Sequence, residues 1–167
     1  MSCFRCGRRG HWLDSCYAST DVRGMPINED SCEVVEDDGA GVYALVTSRG
    51  RHYVGKSEDM DGRVDMHRRG MGARCISGES FTRVPLLTRG FVYDLESWER
   101  NETLTRMLRY GISRVRGWMF VSRTLNESQW TTAFNQVCER FDLCRTCGRD
   151  THFADACFSG SMAPWAT

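Results

Sequence analysis

The chain has 167 residues, 41% of them hydrophobic, which is enough for one domain with a real core and short appendages. No run approaches the roughly 18 consecutive apolar residues of a membrane helix, and the start lacks the apolar region of a signal peptide, so we expect an intracellular protein of the nucleus or cytoplasm with no membrane partner. The net charge is zero, yet residues 41–125 hold fifteen Arg or Lys against nine acids, a basic surplus that the overall charge conceals.

Six of the nine cysteines fall into two identical patterns, one at each end of the chain. Both read Cys-x2-Cys-x4-His-x4-Cys, and three thiolates with one imidazole make a closed tetrahedral zinc site. Segments this short cannot bury a core, so bound metal must supply their folding free energy. An intracellular setting disfavours the alternative, a disulfide framework. We therefore predict two structural zinc ions, in residues 1–18 and 143–160, with the ligands Cys3, Cys6, His11 and Cys16, and Cys144, Cys147, His152 and Cys157.

These two terminal segments resemble the retroviral-type zinc knuckle. Phe4 and Trp12 stand where that family stacks nucleic-acid bases, and the second segment has Arg145 and Phe153 at the same positions. The resemblance implies binding of nucleic acid, with the second knuckle gripping bases less well or holding the backbone instead. Zinc modules that contact only protein are the alternative.

Residues 19–40 are acidic, contain Gly and Pro and show no periodicity, which predicts a linker before a domain at residues 41–142. That domain opens with two runs of strand formers separated by Ser48-Arg49-Gly50, the pattern of a hairpin. A three-residue loop with Gly50 in the left-handed conformation pairs Leu45 with Tyr53. Tyr43 then lies on the same face of the hairpin as Tyr53.

Residues 57–69 predict a short helix that ends at Gly70, with Arg63 and His67 four residues apart on one face. A strand is predicted at residues 91–93.

A second helix is predicted to be capped by Ser97 and stopped by Gly111, followed by a strand at residues 114–121. Asn126 and Gln129 then form a capping box. The helix after it places apolar side chains on one side at helical spacing: Trp130, Phe134, Val137 and Phe141. This succession of strands and helices predicts an α+β domain, with residues 161–167 as a tail.

A set of short motifs lies in order along the domain. Gly41-Val42-Tyr43 is separated by nine residues from Tyr53-Val54-Gly55, and Arg63, His67 and Glu102 follow. This set resembles the GIY-YIG nuclease domain over residues 41–125. Glu102-Thr103 and Val115-Arg116-Gly117 resemble especially the versions in large DNA viruses, where zinc knuckles also occur. The resemblance implies a small domain with a central antiparallel sheet and flanking helices, and adds a viral replication site to the expected locations.

The resemblance also implies roles for individual side chains. Glu102 is the expected ligand of one catalytic Mg²⁺ or Mn²⁺, with Glu99 one turn earlier as the alternative. Hydrolysis of a phosphodiester needs a deprotonated water and a positive charge on the phosphate. The expected catalytic residues are Tyr43 and Tyr53, either of which can be the base, Arg63 for the phosphate, and Lys56 and His67 as neighbouring groups.

We therefore expect an endonuclease that cuts DNA, selects for structure rather than sequence, and uses its knuckles to hold nucleic acid. One alternative is a catalytically inactive protein that binds RNA or single-stranded DNA. The family often has an Asn after the second helix, where this chain has Ser113 and Arg114. The other alternative is an adaptor whose zinc modules contact only protein partners.

Overall fold

The computed structural model describes residues 41–84 and 95–166. The predicted linker at residues 19–40 and the predicted strand at residues 91–93 lie outside them. So does the N-terminal knuckle, with its expected ligands and base contacts Cys3, Phe4, Cys6, His11, Trp12 and Cys16.

The hairpin forms as the sequence predicts. Strand β1 (Gly41–Thr47) pairs antiparallel with strand β2 (His52–Ser57), and Leu45 lies opposite Tyr53. Gly50 closes the loop with a φ of 71°, a left-handed conformation that glycine adopts without steric cost. The predicted register is therefore confirmed.

The described sheet has four strands in the order β3-β1-β2-β4, and it is mixed. Strand β3 (Phe81–Val84), which the sequence pattern did not predict, pairs antiparallel with β1. Strand β4 (Val115–Arg116) pairs parallel with β2. The expected antiparallel sheet is thus correct for β3, β1 and β2 and wrong for β4, because the chain returns to the free edge of β2 by a long crossover, the connection that parallel strands need.

Strand β4 is also much shorter than the predicted strand at residues 114–121. It ends where Gly117 takes a φ of 152° and pairs with Phe120 in a tight turn, so the chain leaves the sheet after two residues.

Helix α1 (Met60–Arg68) begins three residues after its predicted start, because Ser57 is the last residue of β2. Asp59 caps it by accepting the Gly62 N–H at 2.9 Å. The helix covers one face of the hairpin, and Val64 packs there in a core cluster with the apolar residues Tyr43, Leu45, Tyr53, Met60, Cys75 and Ile76.

Helix α2 (Leu95–Tyr110) lies against β2 and buries Leu104 and Met107. Ser97 is inside the helix, so its predicted capping role is wrong. Gly111 ends the helix as predicted, with a φ of 96°.

Helix α3 (Glu127–Phe141) packs on α2 and starts with the predicted capping box. The Asn126 side chain accepts from the backbone of Gln129, whose side chain accepts from the Asn126 N–H in return. The predicted inward face is confirmed, since Phe134, Val137 and Phe141 are buried and Trp130 packs against the same cluster.

These elements make an α+β fold, with three α-helices and one mixed sheet in the described part of the chain. All of these residues belong to one compact unit. Among the described helices, none combines the length and the apolar character that crossing a membrane requires.

The turn at Gly117 gives a test of the close packing between β2 and α2. A Cβ atom on Gly117 would lie 2.6 Å from Thr103 Oγ1 and 2.7 Å from the Val54 carbonyl oxygen. Because neither neighbour can move away cheaply, Gly117→Ala should lower the free energy of unfolding by about 1 to 3 kcal/mol in urea denaturation.

Gly160→Ala is the matched control, because a Cβ there meets no atom within 4 Å. We expect it to change stability by less than about 0.5 kcal/mol. Equal stability of both variants would contradict the packing described at Gly117.

Candidate functional site

The register of the hairpin brings two tyrosine rings together. The ring centroids of Tyr43 and Tyr53 are 6.2 Å apart, and Tyr43 lies opposite Gly55 in the pairing of the strands. A Cβ atom at residue 55 would lie 2.6 Å from the Tyr43 hydroxyl oxygen. Only glycine therefore lets that hydroxyl lie across β2, which gives a physical reason for the glycine of the second motif.

Helix α1 adds an imidazole to the tyrosine pair. The Nε2 atom of His67 is 2.8 Å from the Tyr43 hydroxyl oxygen, and its Nδ1 atom accepts the Ala73 N–H at 3.2 Å. Burial lowers the pKa of His67 to about 4, with a further contribution from the charge of Arg63, so the ring is neutral near pH 7. Since Nδ1 is an acceptor, Nε2 carries the proton and donates a hydrogen bond to the Tyr43 hydroxyl oxygen.

Arg63, one turn before His67 on α1, acts on the same hydroxyl. The charge of its guanidinium favours the ionised form of Tyr43 and so opposes the rise in the pKa of that hydroxyl. Burial nevertheless raises the pKa of Tyr43 above its usual value, and burial together with the nearby Tyr43 raises the pKa of Tyr53 as well. Tyr43 thus has more groups that favour its ionised form than Tyr53 has.

The carboxylate that faces this group belongs to Glu99 of α2. Its charge contributes to the raised pKa of both Tyr43 and Tyr53. Its Oε1 atom accepts the Trp118 backbone N–H at 3.1 Å, and its Oε2 atom is 3.7 Å from Lys56 Nζ. Burial raises the pKa of Glu99, while the Trp118 N–H and the Lys56 charge oppose that rise.

Trp118 and Glu96 complete the surroundings of Glu99, and neither was predicted as a residue of the site. Trp118 has a φ of 49°, rare for a large side chain, and its indole Nε1 donates to Glu96 Oε1 at 2.9 Å. Lys56 bonds the other oxygen of Glu96. The sequence carried one signal for this arrangement, the three-residue spacing of Glu96 and Glu99, which places both on one helix face.

Glu102, the expected metal ligand, has different partners. Its Oε1 atom accepts from Arg106 Nε at 2.6 Å, and Arg106 Nη1 lies 3.0 Å from His52 Nδ1. Side chains alternate along a strand, so His52 points to the face opposite Tyr53. Glu102 is therefore placed with Arg106, whereas the structure brings Glu99 to the tyrosines.

The predicted ligands of the C-terminal knuckle converge. One ligand atom from each of Cys144, Cys147, His152 and Cys157 lies within 4.8 Å of the others. Soft thiolates with an imidazole are the donors that zinc prefers in structural sites, so this cluster fits a Zn²⁺ ion. It is the only such group of His, Cys, Asp and Glu found among the described residues.

This cluster is built into the domain rather than tethered to it. The Cys147 carbonyl accepts the Ala163 N–H at 2.7 Å, and the Gly148 carbonyl accepts from the Trp165 indole at 2.9 Å. The Trp165 ring stacks on Phe134 of α3 with centroids 5.4 Å apart. Residues following the knuckle thus join the core against α3, with Met162 and Trp165 packed on it and Ala166 buried in it.

The two predicted nucleic-acid contacts of this knuckle lie on its surface. Arg145 is exposed, and Phe153 is 67% exposed. Both line a cavity of about 500 Å³, together with the acidic residues Glu139, Asp142 and Asp155. The acids disfavour a phosphate there, whereas an exposed aromatic ring can stack on a base.

Comparisons with models of protein families, with curated proteins and with solved structures find no match for this chain. The residues that the structure brings together at the site are Tyr43, Tyr53, Lys56, Arg63, His67 and Glu99.

The C-terminal cluster predicts a measurable zinc content. Cys157→Ser should lower the zinc bound per chain by one ion and lower the temperature of thermal unfolding, because the cluster packs on the core at α3. Zinc released on denaturation can be counted with a chromogenic chelator, and unfolding followed by circular dichroism.

Cys138→Ala is the matched control, since Cys138 is buried beside the cluster and donates to the Cys144 carbonyl without belonging to the ligand set. We expect its zinc content to equal that of the wild type. An unchanged zinc content in Cys157→Ser would exclude a metal at this cluster.

Proposed function

We propose that this chain is a metal-dependent endonuclease of the GIY-YIG type that hydrolyses phosphodiester bonds in DNA. The observation that carries the proposal is the set of groups around one phenol. His67 Nε2 lies 2.8 Å from the Tyr43 oxygen, the Arg63 charge favours the ionised form of Tyr43, and the Tyr53 ring lies beside it. Donors and a positive charge stabilise a phenolate, which is the form that can take a proton from an attacking water.

Tyr43 is the better general base of the two tyrosines. His67 offers it an N–H and stays neutral, so the imidazole supports the phenolate instead of competing for the water's proton. Among the described residues Tyr53 accepts no hydrogen bond from His67, and the neighbouring Tyr43 raises its pKa further. Tyr53 therefore keeps its proton and orients Tyr43 or the water by hydrogen bonding.

Arg63 supplies a positive charge that persists at any physiological pH. Its guanidinium has planar paired donors that match the geometry of phosphate oxygens. Because its charge acts on Tyr43, a phosphate bound to Arg63 would lie next to the base. There it stabilises the charge that builds on the phosphoryl oxygens in the transition state.

Glu99 replaces Glu102 as the proposed ligand of the catalytic cation. The Trp118 N–H fixes one oxygen of its carboxylate, and the other, 3.7 Å from Lys56 Nζ, is beyond hydrogen-bonding distance and keeps its lone pairs. Hard oxygen donors of one carboxylate with phosphate oxygens suit Mg²⁺ or Mn²⁺. When bound, this ion stabilises the leaving oxygen. Lys56 and Trp118 hold the carboxylate in place.

The zinc knuckles are proposed to hold the substrate rather than to react. Phe153 is exposed enough to stack on an unpaired base, and the tight packing of its knuckle on α3 fixes its distance from the rest of the domain. Recognition by stacking tolerates any base, so we expect preference for distorted or single-stranded DNA over a particular sequence.

A plasmid-nicking assay with Mg²⁺ tests the proposal and separates the two glutamates. Arg63→Ala should cut at least about 100-fold more slowly than wild type, because it removes the positive charge that stabilises the phosphoryl oxygens in the transition state. Glu99→Gln should also lose cutting, since a neutral amide binds the cation poorly while still accepting the Trp118 N–H. Glu102→Gln should retain it, because Gln can still accept from Arg106.

Thermal unfolding should be nearly unchanged in all three variants. DNA binding in gel shifts should be nearly unchanged in the two glutamine variants and only modestly weaker in Arg63→Ala, which loses one phosphate contact. Equal cutting by wild type and Arg63→Ala would contradict the site. Binding of RNA or single-stranded DNA with no cutting by the wild type on any branched, flapped or mismatched substrate would favour the inactive binding protein instead.

A further inference from the structure

Three arginine side chains lie around the buried carboxylate of Glu79, near the loop of the hairpin. Glu79 precedes β3, and its side chain is 3% exposed. The Glu79 Oε1 atom lies 3.5 Å from a guanidinium nitrogen of Arg51 and 4.0 Å from one of Arg49 and one of Arg123. Among the described residues, neither Glu79 oxygen has a hydrogen-bond partner, and neither does the buried Nη1 atom of Arg51.

These distances leave the arginines with unused donors. Separations of 3.5 to 4.0 Å are longer than hydrogen bonds, so Glu79 attracts the guanidinium groups without occupying their N–H groups. Each guanidinium has five such donors. One negative charge among three positive ones leaves a local excess of two. The side chains of Arg49 and Arg123 are 68% and 55% exposed, so this excess reaches the solvent.

Arg51 of this cluster lies on the same face of the hairpin as the tyrosines. The Arg51 carbonyl accepts the Thr47 N–H at 2.8 Å, which extends the pairing of the strands to Arg51. Arg51 is two residues from Tyr53, about 7 Å along a strand. Cys75 lies close enough to interact electrostatically with both Arg51 and Tyr53. The arginine cluster therefore lies next to the proposed catalytic site, with Arg51 closest in the chain to Tyr53.

We propose that Arg49, Arg51 and Arg123, held together by Glu79, bind backbone phosphates of DNA a few nucleotides from the scissile bond. One strand of a duplex carries a charge about every 3.4 Å along the axis, so the cluster is about two nucleotides from the tyrosines. The position of these phosphates relative to the scissile bond depends on the proposed nuclease function, whereas their binding by the arginines does not depend on it.

The salt dependence of DNA binding tests this inference. Affinity for a short blunt duplex is measured by fluorescence anisotropy over a range of NaCl concentrations, without added Mg²⁺ so that no cutting occurs, and without chelator so that zinc is kept. Removing one side chain that binds a phosphate should lower the magnitude of the slope of log K against log salt by about 0.9. Arg49→Ala with Arg123→Ala should therefore lower it by about 1.8.

Two controls isolate the cluster from charge and folding. Arg140→Ala removes an exposed arginine of α3 that bonds Asn101, and it should leave the slope unchanged. Lysine at both positions 49 and 123 keeps the charge and should keep the slope. A double alanine variant that behaves like Arg140→Ala would overturn the inference, as would a lysine variant as defective as the alanine one. Should the nicking assay fail while the slope still falls, only the nuclease proposal is lost.

Discussion

The register of one hairpin is the constraint on which the rest of the site depends. Pairing Leu45 with Tyr53 places Tyr43 on the same face as Tyr53 and opposite Gly55. A shift of the strand register by one residue would turn one tyrosine to the other face of the hairpin. The same shift would move the Arg51 side chain away from Glu79. The three-residue loop fixes this register locally, so the geometry of the site is set by a few neighbouring residues.

A second constraint joins the chain after β4 to helix α2. Trp118, two residues after the end of β4, donates its backbone N–H to Glu99 and its indole N–H to Glu96, so one residue orients two acids of α2. Burial of Glu99 without such donors would be costly. The parallel pairing of β4 with β2 fixes the position of Trp118. The Trp118 N–H in turn orients the Glu99 carboxylate towards the tyrosines.

Features of short range were predictable from the sequence. The loop at Gly50, the α3 capping box and the C-terminal cluster of three cysteines and one histidine each depend on residues close together in the chain, and all three form as expected. What could not be predicted depends on contacts between distant segments. Glu99 and Glu102 are three residues apart on one helix and equally plausible from periodicity, and only the positions of Trp118 and Arg106 distinguish them. The parallel pairing of β4 likewise follows from the crossover, which no local pattern encodes.

Tyr43, Arg63 and Glu99 are proposed to face one phosphate and one divalent cation. Anomalous scattering from Mn²⁺, in crystals grown with a cleavage-resistant phosphorothioate duplex, tests this arrangement most directly. We expect a manganese ion about 2 Å from a Glu99 carboxylate oxygen, with a DNA phosphate between that ion and Arg63. Manganese at Glu102, or DNA bound with no phosphate at the tyrosine pair, would contradict it.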